Sequence, residues 1–119
     1  MMEAVAFSRY QRGSARKLGI IADLVRGKDV PEALRTLTFL AKPSKRPVLK
    51  TLRSAVANAV SKAGKAKLHE DDLFVAEIRV DQGPTMKRWR PGPRGMASVI
   101  RKRTCHVHVR VATKKGIEV

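Results

Sequence analysis

The segment that decides the fold covers residues 73–111, LFVAEIRVDQGPTMKRWRPGPRGMASVIRKRTCHVHVRV. Its ends, residues 73–80 and 104–111, alternate apolar and polar side chains as half-buried β-strands do. Between them, residues 83–103 contain seven Lys or Arg residues and no acidic residue. Since this connection is longer than most hairpin loops, it is either a flexible loop or a hairpin arm whose strands continue beyond the body.

The composition of the connection favours the arm. Val99 and Ile100 are strand-forming residues, and RPGPR at residues 90–94 is typical of a turn. Strands of about ten residues, rising roughly 3.3 Å per residue, would carry the tip about 30 Å outward. Because an isolated two-stranded ribbon is marginal in water, we expect an anionic partner to order this arm from both sides.

The alternation predicts which strand residues share a face. In residues 73–80 it groups Phe74, Ala76, Ile78 and Val80, opposite Val75, Glu77 and Arg79. In residues 104–111 it groups Cys105, Val107, Val109 and Val111, opposite Thr104, His106, His108 and Arg110. Residues 3–10 predict a further strand, with Val5 and Phe7 facing away from Ala4, Ala6 and Ser8.

Three helices are predicted, over residues 14–28, 29–42 and 44–65. The expected N-terminal caps are Ser14, Asp29 or Val30, and Ser44, with Pro31 and Pro47 in first turns and Gly27 and Gly64 at C-terminal ends. The predicted buried stripes are Leu18, Ile21, Ala22 and Val25; Ala33, Leu34, Leu37 and Leu40; and Leu49, Leu52, Val56, Ala59, Val60 and Ala63.

Together these elements predict an α+β fold: a small three-stranded antiparallel sheet with three helices on one side and one long protruding β-hairpin. At 119 residues we expect a single domain over 1–119. Its globular body would comprise residues 1–82 and 104–119, and its extended hairpin arm residues 83–103.

Charge indicates the class of partner. Lys and Arg number 26 against 10 Asp and Glu, a net charge of +16. A compact domain with this excess repels itself, and nucleic acid is the polyanion that usually relieves the repulsion. An acidic membrane surface is the weaker alternative, since it favours a basic amphipathic helix with exposed bulky apolar residues. The single cysteine, and the lack of a secretory signal or an apolar run of about 20 residues, predict a cytosolic or organelle-matrix protein.

Four segments resemble one known family in order and spacing: LVRGKDVPEAL (24–34), LRSAVANA (52–59), LFVAEIRVDQGPTMKR (73–88) and KRTCHVHVRV (102–111). They are similar to the large-subunit ribosomal protein family L-twenty-two, and the likeness covers nearly the whole chain. It implies a surface body and an inward-reaching hairpin that bind large-subunit ribosomal RNA and aid assembly. The hairpin tip would form part of the nascent-peptide exit tunnel wall, near the macrolide site.

The resemblance also implies which partners to expect. They are large-subunit ribosomal RNA, neighbouring ribosomal proteins and the nascent polypeptide, with no membrane, no cofactor, no catalysis and no independent homo-oligomer. The tip departs from the family pattern, because residues 91–97 read PGPRGMA where the family usually has PRARGRA. Trp89 stands where an aliphatic residue is more frequent.

The candidate RNA contacts are basic residues together with Tyr10. Arg is favoured among them because it can bind phosphate through two parallel hydrogen bonds and stack on bases. They are Arg9, Tyr10, Arg12, Arg16, Lys17, Arg26, Lys28, Lys87, Arg88, Arg90, Arg94, Arg101, Lys102 and Arg103. The predicted tunnel-lining tip is Met86, Lys87, Arg88, Trp89, Arg90, Pro91, Gly92 and Pro93. A basic row on the third helix, Arg46, Lys50 and Arg53, is either a further RNA patch or a solvated helix face.

The residues argue against metal binding and catalysis. Cys105 should point away from His106 and His108, and His69 is distant in sequence, so no ligand set with zinc spacing is present. No phosphate-cradling loop or nucleophile elbow occurs. The function predicted is therefore that of a structural ribosomal RNA-binding protein, with a DNA-architectural protein that uses the hairpin in a groove as the alternative.

Overall fold

The computed structural model describes residues 3–63 and 68–114. Predictions for residues 1–2, 64–67 and 115–119, including the helix end at Gly64, lie outside these ranges. The elements follow in the order β1 (Glu3–Arg12), α1 (Ala15–Val25), α2 (Val30–Phe39), α3 (Lys45–Ala63), β2 (Leu73–Gln82), β3 (Met86–Pro91), β4 (Ala97–Lys102) and β5 (Thr104–Thr113). Short 3₁₀ turns cover Glu70–Asp72 and Pro93–Gly95.

The body is built on β5, which pairs antiparallel with β1 on one side and β2 on the other. Helix α3 packs across β1 and β5, and α1 packs on β2, so the helices cover one face of the sheet. Between the two layers lies a core made mainly of Val, Leu, Ile and Ala. This confirms the predicted α+β class with a three-stranded antiparallel sheet and three helices.

The face predictions for β5 and β1 are confirmed. Cys105, Val107, Val109 and Val111 are buried against the helices. In β1 the small residues Ala4 and Ala6 face the core, whereas Val5 and Phe7 are exposed on the other side. The larger apolar residues of β1 therefore contribute little to the body's core.

The strict alternation predicted for β2 is wrong. Val75 pairs with Val111 but Glu77 pairs with Arg110, so one extra residue, Ala76, lies in a β-bulge. A bulge shifts the alternation by one residue. Core-facing positions are consequently Leu73 and Val75 before the bulge and Ile78 after it.

Helices α1 and α2 begin at the predicted caps. Ser14 and Asp29 occupy the N-cap positions, although neither side chain makes a capping hydrogen bond. Gly27 follows α1 with a φ of +77°, the left-handed conformation that glycine adopts without a Cβ clash. All four predicted α1 residues are buried; in α2, Ala33 and Leu37 are buried, whereas Leu34 and Leu40 are partly buried.

Helix α3 is turned slightly from its predicted orientation. Its buried residues are Val48, Thr51, Leu52, Ala55, Val56 and Ala59. Val60, predicted to be buried, is 43% exposed. The small residues Ala55 and Ala59 allow α3 to approach the sheet closely, so the buried face of the helix is oriented toward these two residues.

β3 and β4 form a separate two-stranded antiparallel hairpin, the arm, with a register from Met86 opposite Lys102 to Pro91 opposite Ala97. The turn occupies residues 92–96, closed by the Gly92 N–H donating to the Met96 carbonyl, slightly beyond the centre of the predicted RPGPR. The described chain measures 67 × 24 × 16 Å. Its radius of gyration of 17.7 Å exceeds the roughly 14 Å of a compact chain this long.

Candidate nucleic-acid interface

The arm presents cations on both faces. Because side chains alternate along a strand, Lys87 and its cross-strand partner Arg101 share one face with Trp89 and Val99. Arg88, Arg90 and Lys102 lie on the other. Every β3 residue is exposed, and Arg94, Arg101 and Arg103 are exposed as well.

These arm cations have no carboxylate partner in the part of the chain that the structure describes. The ion pairs found there involve Arg26, Arg79, Arg110 and Lys114, all of them in the body. Like charges directly opposite one another, as in the Lys87 and Arg101 pair, destabilise a hairpin. An isolated arm is therefore electrostatically unfavourable, and an anion between or beside its cations would relieve the repulsion.

Arg110 illustrates the different role of body cations. Its guanidinium donates to Glu3 at 2.8 Å and lies 3.4 Å from Glu77, so it joins all three strands of the sheet. The hydrogen bond and charge of Glu3, followed by the charge of Glu77, raise the pKa of Arg110. This cation is satisfied within the fold, whereas the arm cations are not.

The tip carries exposed apolar groups. Trp89 is 68% exposed and Met96 is 71% exposed. Together with Pro91, Gly92 and Gly95 they line a shallow cleft of about 310 Å³. Arg90 lines the same cleft, so the tip combines a positive charge with a large exposed indole ring.

The structure brings two predicted patches together at the base of the arm. Arg12 lines an open cleft of about 500 Å³ with Arg101, Lys102 and Arg103. The Gly13 N–H donates to the Arg103 carbonyl at 3.0 Å, which fixes the end of β1 beside the arm. Arg12 is far from residues 101–103 along the chain, so the sequence did not predict that they would be neighbours. Their proximity depends on the pairing of β1 with β5.

The other predicted contacts differ in their environment. Arg9, Tyr10, Arg16 and Lys17 are exposed around the end of β1 and the start of α1. Arg26 is partly engaged, since it pairs with Asp23 and donates to the Ile78 carbonyl at 2.9 Å.

The α3 row and Lys28 complete the set of predicted cations. Lys28 is half-buried, and its carbonyl accepts from the Val75 N–H at 2.9 Å. Arg46, Lys50 and Arg53 lie on α3. Their placement is compatible both with a further RNA patch and with a solvated helix face.

Sequence reasoning missed a cluster of rings on the uncovered face of the sheet. Phe7 lies against His108, and Tyr10 against His106. The sequences of β1 and β5, taken separately, could not predict these ring pairs, because the pairs depend on the register between the two strands. Cys105 points to the core as predicted, where burial raises the pKa of its thiol.

Within the described ranges, no group of three or more His, Cys, Asp or Glu residues is arranged to hold a metal ion. The helices in these ranges are also not long and apolar enough to cross a membrane.

Comparison with known proteins identifies the family. The family model described as ribosomal protein L22p/L17e matches residues 6–112. The chain belongs to this family. The L22p/L17e proteins are ribosomal proteins and not enzymes, which agrees with the resemblance found in the sequence.

Curated relatives match over nearly their full length. The large ribosomal subunit protein uL22 of Myxococcus xanthus is 46% identical over 114 residues, covering 96% of this chain and 99% of the relative. Its counterpart in Desulfitobacterium hafniense is 48% identical over 115 residues, covering 97% and 98%. That of Bdellovibrio bacteriovorus is 49% identical over 108 residues, covering 91% and 96%.

Proposed function

We propose that this protein is a structural component of the large ribosomal subunit, that it binds large-subunit ribosomal RNA through its body and arm, and that it aids assembly of the subunit. The observation that carries the proposal is the arm: seven Lys and Arg residues, distributed over both faces and unpaired within the described chain. Relatives named as large-subunit proteins support the location.

The physical basis is phosphate neutralisation. RNA phosphates lie on both sides of any groove or junction that a ribbon enters, so an arm with cations on both faces matches such a site better than a flat surface. Arg88 and Arg90 contact one RNA segment in this proposal, and Lys87 and Arg101 contact another. The contacts are mainly to phosphate and 2′-hydroxyl groups, so shape is recognised more than sequence.

The tip has a second role in the proposal. Residues 86–93 line the nascent-peptide exit tunnel, with neighbouring ribosomal proteins and the nascent polypeptide as further partners. Trp89 supports this because its ring is exposed near the far end of the arm, away from the core of the body. The protein acts bound to the ribosome, in the cytoplasm or an organelle matrix.

Binding measured against salt tests the RNA part of the proposal. We expect the full chain to bind fragments of large-subunit ribosomal RNA with an affinity that falls about a thousandfold between 50 and 200 mM salt, as expected for six or more phosphate contacts. Duplex DNA serves as the comparison ligand. A flat salt dependence would overturn electrostatic binding, and equal affinity for duplex DNA would favour a DNA-architectural protein.

Co-sedimentation tests the location. The protein should remain with the large subunit in high-salt sucrose gradients, because the assembled particle holds the arm from both sides. Release at salt concentrations that leave other large-subunit proteins bound would contradict the proposed structural role.

A further inference from the structure

The face of the three-stranded sheet that the helices do not cover carries a cluster of aromatic rings outside the hydrophobic core. We call this surface the open face and define it by Phe7, Tyr10, His106 and His108. Phe7 is 54% exposed and Tyr10 is 65% exposed. Phe7 alternates with Ala4 and Ala6, which supply the core contacts of β1, so its ring lies on the side away from the helices. The Tyr10 ring lies against His106, which alternates with the buried Cys105 and Val107, so it is on the same side.

The rings are arranged as two pairs rather than scattered singly. Phe7 lies directly opposite His108 in the strand register, with ring centroids 4.7 Å apart and planes inclined by 48°. Tyr10 meets His106 edge to face, with centroids 4.8 Å apart. Together with Arg9, Arg79, Asp81 and Val107 they line a cleft of about 290 Å³. That volume is just below the range for small-ligand sites, which begins at about 300 Å³.

A bulge in β1 creates this arrangement. The register shifts between Ser8 and Gln11, and Tyr10 adopts a φ of +57°. Positive φ is uncommon for a bulky residue. The Tyr10 N–H donates to Nδ1 of His106 at 3.0 Å, which holds the strained residue in place and leaves the imidazole proton on Nε2.

Strain and an unsatisfied polar atom coincide on this face. Nδ1 of His108 is buried and has no hydrogen-bond partner within the described residues. Strained backbone clusters at ligand-binding and switch regions, and an unsatisfied buried polar atom is uncommon enough in a folded protein to call for an explanation. Both features lie at residues that line the cleft of the open face.

Charge on the open face indicates what would bind there. The guanidinium of Arg9 lies 5.5 Å from the centre of the Phe7 ring and has no ion-pair partner among the described residues. Arg79, by contrast, is held by Glu77 at 3.1 Å and Asp81 at 3.3 Å. The face therefore offers rings for a flat ligand and one uncompensated cation beside them. An unpaired nucleotide presents the complementary features, a base with a π-face and a phosphate.

We propose that the open face binds one unpaired RNA nucleotide, whose base stacks against Phe7 and Tyr10 while its phosphate lies at Arg9. The inference rests on the proposed function, since the RNA that the arm binds is the source of the nucleotide. It adds a base-stacking contact on the body to the phosphate contacts of the arm.

Histidine resonances give a direct test in the intact protein. The chain has three histidines: His106 and His108 line the cleft, and His69 lies outside it and serves as an internal control. A single-stranded adenylate pentamer should shift the Hε1 signals of His106 and His108 through ring currents, and leave His69 unchanged. Ribose 5-phosphate, which lacks a base, should cause little shift. Equal shifts with both ligands would show that charge alone acts, and would overturn the proposal.

Two variants test the same contact in ribosomal RNA. Phe7→Leu keeps an apolar side chain but removes the ring, and Tyr10→Asn removes the ring with a residue that tolerates positive φ. Each should weaken binding of a large-subunit RNA fragment about tenfold. The slope against salt should stay unchanged, because stacking releases no counterions. Phe39→Leu, at an exposed ring on α2, is the matched control and should bind like the parent protein.

The outcomes separate this inference from the function on which it rests. Unchanged affinity in both variants, with the steep salt slope of the parent retained, would overturn the base-binding site and leave the proposed function standing. Failure of the parent protein to bind ribosomal RNA would overturn the proposed function itself.

Discussion

At the scale of single residues, Leu52 shows what holds the body together. It is fully buried on the side of α3 that faces the sheet. Leu52→Ala removes apolar contact and leaves a cavity, so we expect the free energy of unfolding to fall by about 2–5 kcal/mol. Urea denaturation measures this loss.

Val60→Ala is the control for Leu52→Ala. Val60 lies on the same helix but is 43% exposed, and its truncation should change stability by no more than about 0.5 kcal/mol. Similar losses in the two variants would contradict the observed orientation of α3. Sequence periodicity alone assigned both residues to the core, so this pair tests the position where prediction and structure differ.

At the scale of elements, the sequence predicted β5 better than β2. β5 carries no extra residue relative to its partner strands, so its alternating apolar and polar residues face opposite sides of the sheet. In β2 the extra residue, Ala76, reverses which alternate residues face the core. The sequence of β2 alone cannot reveal this bulge, because a bulge is defined by the pairing with a partner strand. The orientation of α3 is similarly set by which small residues allow close contact with the sheet.

The junction between body and arm depends on the hydroxyl of a buried threonine. Thr104 donates from Oγ1 to the Pro84 carbonyl at 2.6 Å, and its own carbonyl accepts from the Gly83 N–H at 2.9 Å. Thr104→Val keeps the shape but removes the side-chain hydrogen bond to Pro84, which should cost about 0.5–1.5 kcal/mol. Thermal or urea unfolding measures it. Thr38→Val, which removes an exposed hydroxyl bond within α2, should cost less, and an equal cost would argue against the junction.

The arm should be less stable than the body in the free protein. β3 and β4 pair only with each other in the described chain, and they carry opposed like charges. We expect amide hydrogen exchange in the arm to be fast, whereas central β5 amides such as those of Val107 and Val109 are strongly protected. Adding a ribosomal RNA fragment should slow exchange in the arm. Strong protection of the arm without RNA would contradict the proposal that RNA orders it.

At the scale of the whole molecule, composition indicates the class of partner but not the layout of the surface. The net charge of +16 is by itself enough to favour a polyanion. Topology is needed to bring Arg12 to the base of the arm, and to set Phe7 beside His108 across two strands. Net charge can be counted from the sequence whatever the order of the residues. The geometry of a site cannot, because it depends on which residues, distant in sequence, the fold brings together.

The division between tip and body predicts separable effects in the assembled particle. Deleting Trp89 and Arg90 with their partners Val99 and Ser98 removes two matched pairs. The deletion shortens the arm by about 7 Å without changing which way the remaining side chains face. Assembly should be nearly unaffected, because the cations at the arm base remain. If residues 86–93 line the exit tunnel as proposed, the tunnel wall should recede, so we expect an altered response to macrolides or to the nascent chain.

The complementary variant neutralises the base and keeps the tip. Replacing Arg101, Lys102 and Arg103 with Gln removes three of the chain's 26 Lys and Arg residues, and preserves arm length. If phosphate neutralisation at the base drives assembly, gradient profiles should show fewer complete large subunits, with tunnel responses normal in those that form. Assembly lost in the tip deletion but kept in this variant would reverse the proposed roles, because the tip would then be the part that fixes RNA packing.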